Sequence, residues 1–359
     1  MAIFGIGDTS SYIDWPINVD ATYLRGLTTR SGLGFPELVG RLEAGLGAIN
    51  SGFDPLVASL VYPTTSAVAR GARTGGMQVQ KRSQYTLARP QMTDRLANML
   101  PIDDYEIALG FTEDGLRDIS LDEFQTQVDG MVEAWERHHR RESLARLFSD
   151  AEVPVAAGTT ATSPGMAGSG TGANAFTAMY PDGSTLPGGY THYFRDTVAN
   201  RAAVILTARD RLRKWAAGPY DLVGSETAIA AIVALGAPNF VAAGSVLVRP
   251  AQGTAEAMVD AAQYVGVFGG DIRVHVALND FTDDVVAIYK SYGALNPNNA
   301  LGWRWDEQYG RAVTVRSREL FPLAEAVSMQ RFGVGVSNRT AAALIRFGAA
   351  GAYTAPTFG

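Results

Sequence analysis

The sequence predicts an α+β fold, a mixed α/β architecture in which part of the chain lacks a hydrophobic core of its own. Three observations predict it. Residues 120–148 read as one long helix with an apolar stripe. Residues beyond 193 interleave helix and strand patterns, the mark of a mixed domain. Residues 1–115 are rich in turn residues and polar strand-like sequence, with little sustained periodicity.

The helix comes first because its limits are written most plainly. Ser120 and Glu123 have the S-x-x-E form of a capping box, in which each covers an orphan backbone N–H of the other. Leu121, Phe124, Val128, Met131, Val132 and Trp135 recur at steps of three and four. Of these, Leu121, Phe124, Val128 and Trp135 are the expected core face, turned toward the α/β domain of the same chain. Acidic residues lie early and Arg137, Arg140, Arg141 and Arg146 late, an order that suits the helix dipole. The end is expected near Asp150, before Val153-Pro154. At about 1.5 Å per residue such a helix spans roughly 40 Å.

Residues 1–59 read as an N-terminal arm, with one short helix over 36–49 on the spacing of Leu38, Val39, Leu42 and Leu46. Residues 60–115 read as a long two-stranded excursion, its strands near Met77–Thr86 and Ile102–Phe111. A lone two-stranded hairpin is marginal in water, and one this polar needs a neighbour to lean on. Residues 1–50 and 60–115 are therefore expected to make most of their contacts with other chains.

Beyond the long helix, residues 116–218 also hold a Gly-rich turn at 165–174 and a second long helix over 193–217. A third helix is expected over 226–235, with Ser225 as N-cap and Gly236 beyond its end. Strands are expected at 246–249, 272–278 and 285–289, and a short helix at 254–263. Residues 219–310 thus form a further domain, and 311–359 return as late strands near 311–316, 324–331 and 342–347.

Composition narrows the function classes. With 359 residues, 47% hydrophobic and 18% charged, the chain is globular and long enough for two or three domains. The net charge of −6 gives no bulk basic field for nucleic acid. The absence of cysteine removes disulfides, thiol catalysis and thiolate metal sites. No apolar run reaches the roughly 18 residues of a membrane span. Met1-Ala-Ile-Phe lacks the pattern of a signal peptide, so a cytoplasmic setting and no membrane partner are expected.

No chemistry-bearing motif stands above a structural reading. The cluster GSGTGA (168–173) lacks the leading strand of a dinucleotide site, and the chain has no Gly-Lys-Ser/Thr of a P-loop. A structural turn is the expectation there. His138-His139 point about 100° apart on a helix, so they suit a solvated or interface face better than one metal. His192 and His275 have no partner carboxylate at a telling spacing. Asp280, Asp283 and Asp284 lack the order of a calcium loop. Arg70, Arg73, Lys81, Arg82 and Arg89 make the excursion basic, which suits pairing with an acidic neighbouring subunit. Asp103 and Asp104, with Glu106, read as an acidic tip. Trp303, Arg304 and Trp305 fit an interface loop or a core corner. No metal or cofactor is expected.

The order of parts resembles the major capsid protein of tailed double-stranded DNA phages, the Hong Kong 97-like fold. The match runs from extended arm and long polar loop through one capped helix, a Gly-rich turn and a mixed domain. The residues that carry it locally are GSGTGAN (168–174), GVFGGDIRVHVALNDFTDDVVAIYK (266–290) and the closing stretch from Val313 to Phe347. In that family's terms, 1–59 is the N-arm and 60–115 the E-loop. Residues 116–218 are the peripheral domain with its spine helix, 219–310 mainly the axial domain, and 311–359 the return strands.

The resemblance implies a structural protein without catalysis. Its pentamers and hexamers would tile an icosahedral shell around double-stranded DNA, assembled in a host cytoplasm. Its partners would be itself, a portal, and scaffold or decoration proteins. Some relatives cross-link Lys to Asn; Lys81 is the only lysine in that region, and no acceptor asparagine or catalytic acid is assigned. Chain entry directly into arm-like sequence implies a separate scaffold or none. Two other readings stay open: an encapsulin-type nanocompartment shell with the same fold, and an α/β enzyme or small-molecule-binding protein using the loop 165–174.

Overall fold

The computed structural model describes residues 28–30, 32–71, 96–156, 159–167, 193–196, 199–236, 239–242, 263–277, 281, 283–320, 323–348 and 353–358. The chain divides into two compact units. The first takes its described residues from Met1–Phe53, Asp104–His138 and Asp306–Phe332; the second takes them from Asp54–Asp103, His139–Trp305 and Gly333–Gly359.

The first unit is built on a helix, Phe35–Ser51, whose start is fixed by Pro36 in the first turn and by Glu37, which accepts the Gly34 N–H at 3.1 Å. Its spacing puts Phe35, Leu38, Leu42 and Leu46 on one face, and all four are buried. Asn50 closes the other end: its amide donates to the Val313 carbonyl (3.1 Å) and accepts the Val313 N–H (2.7 Å). Strand Thr314–Leu320 then runs antiparallel to strand Leu323–Val336, from Thr314 opposite Met329 to Leu320 opposite Leu323. Strand Asp103–Thr112 also pairs with Leu323–Val336.

The expected long helix is Leu121–Leu147. Its capping box is formed: Glu123 accepts the Ser120 N–H (2.9 Å) and Ser120 Oγ accepts the Glu123 N–H (3.2 Å). Those bonds to Ser120 hold the Glu123 carboxyl below its ordinary range. Phe124, Val128, Met131 and Trp135 are buried and Leu121 is half-buried. The stripe's partners correct the expectation. Those that are described lie in this first unit: the helix Phe35–Ser51 and the strands that carry Phe111 and Ser328. At Gly45 an added Cβ would sit 2.6 Å from Val128 Cγ1, so the two helices meet where glycine leaves room. Trp135 Nε1 donates to Ser328 Oγ (2.9 Å), which donates to the Ile107 carbonyl (3.1 Å).

Two further expectations change here. Residues 35–51 have a home on their own chain, so reliance on other chains does not extend to them. Residues 103–112 are not the returning strand of the excursion, because they join the sheet of this unit. His138 also packs within the unit, against Tyr105, Trp135 and Phe332, in place of the solvated or interface face expected.

The second unit centres on a seven-stranded sheet. Its order is Tyr193–Arg195, Ala342–Arg346, Val285–Tyr289, Tyr220–Gly224, Ile272–Val276, Gln263–Phe268 and Phe240–Ala242. Ile272–Val276 lies parallel to Tyr220–Gly224, and Tyr193–Arg195 parallel to Ala342–Arg346; the other neighbours are antiparallel. One face carries Tyr220, Leu222, Val274, Ile272, Val286, Ile288 and Ile345. Helices Arg201–Arg213 and Glu226–Val233 cover it with Ile205, Leu212, Ile229 and Ile232. Ser225 caps the second helix, accepting the Ala228 N–H at 3.2 Å, and Gly236 with φ +58° follows its end as expected.

A single helix over 193–217 is not what forms. Asp196, buried, accepts the Gly348 N–H (2.7 Å) and the Arg201 Nε (2.6 Å). Those bonds pin 193–195 to the sheet edge, and the helix begins only at Arg201. The strand expected at 246–249 lies outside the described residues, as does the helix at 254–263 except Gln263, which opens a strand. Elsewhere in this unit Val61–Thr64 pairs in parallel with Leu301–Trp305, and Val68–Gly71 pairs antiparallel with Leu96–Met99.

Candidate functional site

The short ladder Val68–Gly71 with Leu96–Met99 is the described stem of the excursion. Arg70 stands in it opposite Ala97; Arg73, Lys81, Arg82 and Arg89 lie outside the described residues. The root of the stem is seated in the second unit. Leu100 is fully buried, its N–H donates to the Ala67 carbonyl (2.9 Å), and its carbonyl accepts Arg304 Nη1 (3.0 Å). Two glycines make the seat: a Cβ at Gly302 would lie 2.8 Å from Leu100 Cδ1, and one at Gly335 would lie 2.7 Å from Leu100 Cδ2. Gly333 lies against the Pro101 carbonyl so closely that a Cβ there would have no room. The alternating glycines of Gly333-Val-Gly335 are the sequence signal for this seat, since glycine inside a strand marks close backbone approach.

Trp303 therefore belongs to the interior of the chain, with Arg304 half-buried beside it. Trp303 is fully buried in the strand Leu301–Trp305 and meets the His139 ring edge-on at 4.8 Å. Burial fits the core-corner reading for Trp303, and Arg304 and Trp305 are half-buried beside it. His139, like His138, is packed and not solvated. Asp103 and Asp104 are exposed at the start of their strand, where Asp104 Oδ1 is 3.4 Å from Arg331 Nε. Arg331 also reaches Asp306 at 3.4 Å and lies over the Tyr309 ring. Asp104, Arg331 and Tyr309, with Glu106 and Arg316, line a groove of about 470 Å³ in the first unit that carries both signs of charge.

The Gly-rich turn is described only at 165–167, and there it is structural. A Cβ at Gly165 would lie 2.6 Å from the Asp150 carbonyl carbon. Two buried arginines hold this stretch by its carbonyls. Arg146 Nη2 donates to Ser163 O (2.8 Å) and Pro164 O (2.9 Å), and Arg339 Nη2 donates to Gly165 O (2.7 Å). Burial pushes both guanidinium pKa values down to about 10.

His275 does have a carboxylate partner, contrary to the sequence reading. Asp221 accepts from Arg273 Nη2 (2.6 Å) and lies 3.1 Å from His275 Nε2. The parallel register sets His275 opposite Val223 and Arg273 opposite Asp221, a proximity that a separation of 54 residues conceals. Burial alone raises the Asp221 pKa, but hydrogen bonds from His275 and Arg273, with their charge, outweigh it and hold the carboxyl low. Among the described residues no group of three His, Asp or Glu side chains converges to hold a metal ion, and no helix is long and apolar enough to cross a membrane.

No protein-family model matches the sequence, and no curated protein matches it. Solved structures do. One from Mycobacterium phage Patience aligns over 92% of this chain and 93% of its own, with TM-score 0.61 and 16% identity. The capsid of cyanophage P-SCSP1u aligns over 82% and 88%, with TM-score 0.49 and 10% identity. The capsid of a native GTA particle aligns over 82% and 91%, with TM-score 0.48 and 14% identity. The first alignment carries the fold assignment. This chain has the fold of a tailed-phage major capsid protein, the Hong Kong 97-like fold that its order of parts resembles.

Proposed function

We propose that the chain is a major capsid protein, a structural subunit that assembles with copies of itself into pentamers and hexamers of an icosahedral shell enclosing double-stranded DNA. The observation that supports this most is the near end-to-end structural alignment with the Mycobacterium phage Patience structure, which leaves little of either chain outside the shared fold. The basic excursion at 68–99 fits the same role. It leaves a firmly seated root as a two-stranded stem, and a stem of that kind gains stability from a neighbour. Many modest contacts repeated by symmetry close a shell without one strong bond. The net charge of −6 suits a wall that encloses DNA without gripping it. A portal, and scaffold or decoration proteins, are the further partners of this reading, and the virion, assembled in a host cytoplasm, is its place.

Electron microscopy of the expressed protein tests it. Uniform closed shells tens of nanometres across are expected, as closed point-group assembly of many identical subunits gives. A dispersed monomer at all concentrations would reject the proposal. Shells that form only around a co-expressed cargo enzyme would favour the nanocompartment instead.

A further inference from the structure

Residues 353–358 lie on the second unit as a strap and not as a strand. The chain leaves the strand Ala342–Arg346 through Gly348, whose φ of +72° suits glycine, and the four residues before the strap are all alanine or glycine. The strap is held at its two ends. Tyr353 donates its hydroxyl to the Phe148 carbonyl (2.6 Å), and its ring meets that of Tyr193 at 4.8 Å. The Thr357 N–H donates to Asp283 Oδ2 (2.9 Å). Phe358 makes a single antiparallel bridge with Phe281, and its ring lies 5.3 Å from that of Phe281 and 6.4 Å from that of Phe148. Phe148 and Phe281 stand 4.9 Å apart, and both are buried. The strand Ala342–Arg346, by contrast, has a ladder on both sides. A segment held by a few side chains and one bridge opens at a lower free energy than the sheet beside it.

We propose that residues 353–358 are a detachable strap: it opens while the sheet stays folded, uncovers the Phe148–Phe281 pair, and loosens the cap of helix Glu226–Val233 as it does so. Asp283 joins the two events. Its side chain accepts the Thr357 N–H, and its carbonyl accepts Ser225 Oγ (2.8 Å), the hydroxyl that caps the helix through the Ala228 N–H. The residue that grips the strap is thus the residue that steadies the cap, and both states of the strap act on it. This device belongs to the subunit and does not depend on the self-assembly reading.

Amide hydrogen exchange of the full chain, read by mass spectrometry, tests it. In the unaltered chain the amides of 353–358 are expected to exchange at least about tenfold faster than those of the strand Val285–Tyr289, yet slower than in an unstructured peptide of the same sequence. Equal protection of strap and strand would make the strap part of the sheet's cooperative unit, and no protection at all would mean that it is not seated; either result overturns the proposal. Phe358→Ala removes the ring over Phe281. It is expected to speed exchange in 353–358 at least about tenfold and in 225–233 at least about threefold, with Val285–Tyr289 unchanged. A helix that stays at the parent rate overturns the coupling, and faster exchange in Val285–Tyr289 as well overturns the separate opening. Asp283→Ala takes away the acceptor of Thr357 and keeps the carbonyl that holds Ser225, so it too is expected to speed exchange in the strap. Parent rates there would show that Asp283 does not grip it. Thr354 is exposed, and Thr354→Ala is expected to behave as the parent. If it matches Phe358→Ala, the ring is not what holds the strap, and the proposal falls.

Discussion

Arg146 and Arg339 donate their guanidinium groups to backbone carbonyls, and both are buried while doing so. A buried cation is tolerated when most of its donors are satisfied, and here the carbonyls of Ser163, Pro164 and Gly165 take up donors of both groups, although Arg146 Nε stays buried without a partner. The late arginines of the long helix read from sequence as a match to the helix dipole. For Arg146 the structure gives a different reason, because it fastens the segment that leads into the Gly-rich turn. Arg339→Met keeps most of the apolar stem but strips the Gly165 carbonyl of its donor. The expected cost is about 1–3 kcal/mol, that of leaving a buried acceptor unpaired, read as a lowered midpoint in urea unfolding. Arg339→Lys should recover only part of it, since an ammonium cannot reproduce the planar fork. An unchanged midpoint for Arg339→Met would mean that the clasp adds nothing to stability.

At the scale of elements, the close approach of helices Phe35–Ser51 and Leu121–Leu147 sets two effects against each other. Alanine in a helix interior is better than glycine by roughly 1 kcal/mol. At Gly45 the new methyl meets Val128 Cγ1, the end of a stiff branched side chain, and overpacking costs about 1–3 kcal/mol. The clash should win, so Gly45→Ala destabilises the chain. In a Val128→Ala background the clash disappears and the same change should stabilise it. Chemical denaturation of the four species gives the coupling directly, and additive effects would show that the helices do not meet there.

Elements whose cause is local were legible in the sequence: the Ser120/Glu123 capping box, the Phe124-Val128-Met131-Trp135 phase, the Ser225 cap and the strand at 285–289. What the sequence hid depends on partners far along the chain. Asp196 breaks the expected helix at 193 because Gly348 donates to it, and Asp221 finds His275 only through a parallel register. The seat of Leu100 needs Gly302 and Gly335 together, and neither alone reads as anything but a weak spot in a strand.

For the whole molecule, charge is divided in a way that assembly can use. Residues 68–99 hold six basic side chains (Arg70, Arg73, Lys81, Arg82, Arg89 and Arg95) against Asp94 alone, a net of +5. With the chain at −6, everything else carries −11. A single subunit gains little from that separation, because exposed pairs are worth about 0–1 kcal/mol and are screened within roughly 10 Å. In a repeating lattice the same small attraction acts at every contact, which favours the excursion meeting a different, acidic subunit surface such as the one bearing Asp103 and Asp104. Reversing Lys81 and Arg82 to glutamate should therefore leave the unfolding midpoint of the dissociated subunit unchanged and lower shell yield at least about tenfold in dilute buffer. Wild-type yield should itself fall as salt rises toward 1 M, where the screening length shrinks to about 3 Å. If the reversed variant assembles as well as the parent at low salt, the basic excursion is not held by charge. The apolar residues of the same segment, Met77, Val79, Tyr85 and Leu87, then become the ones to change next.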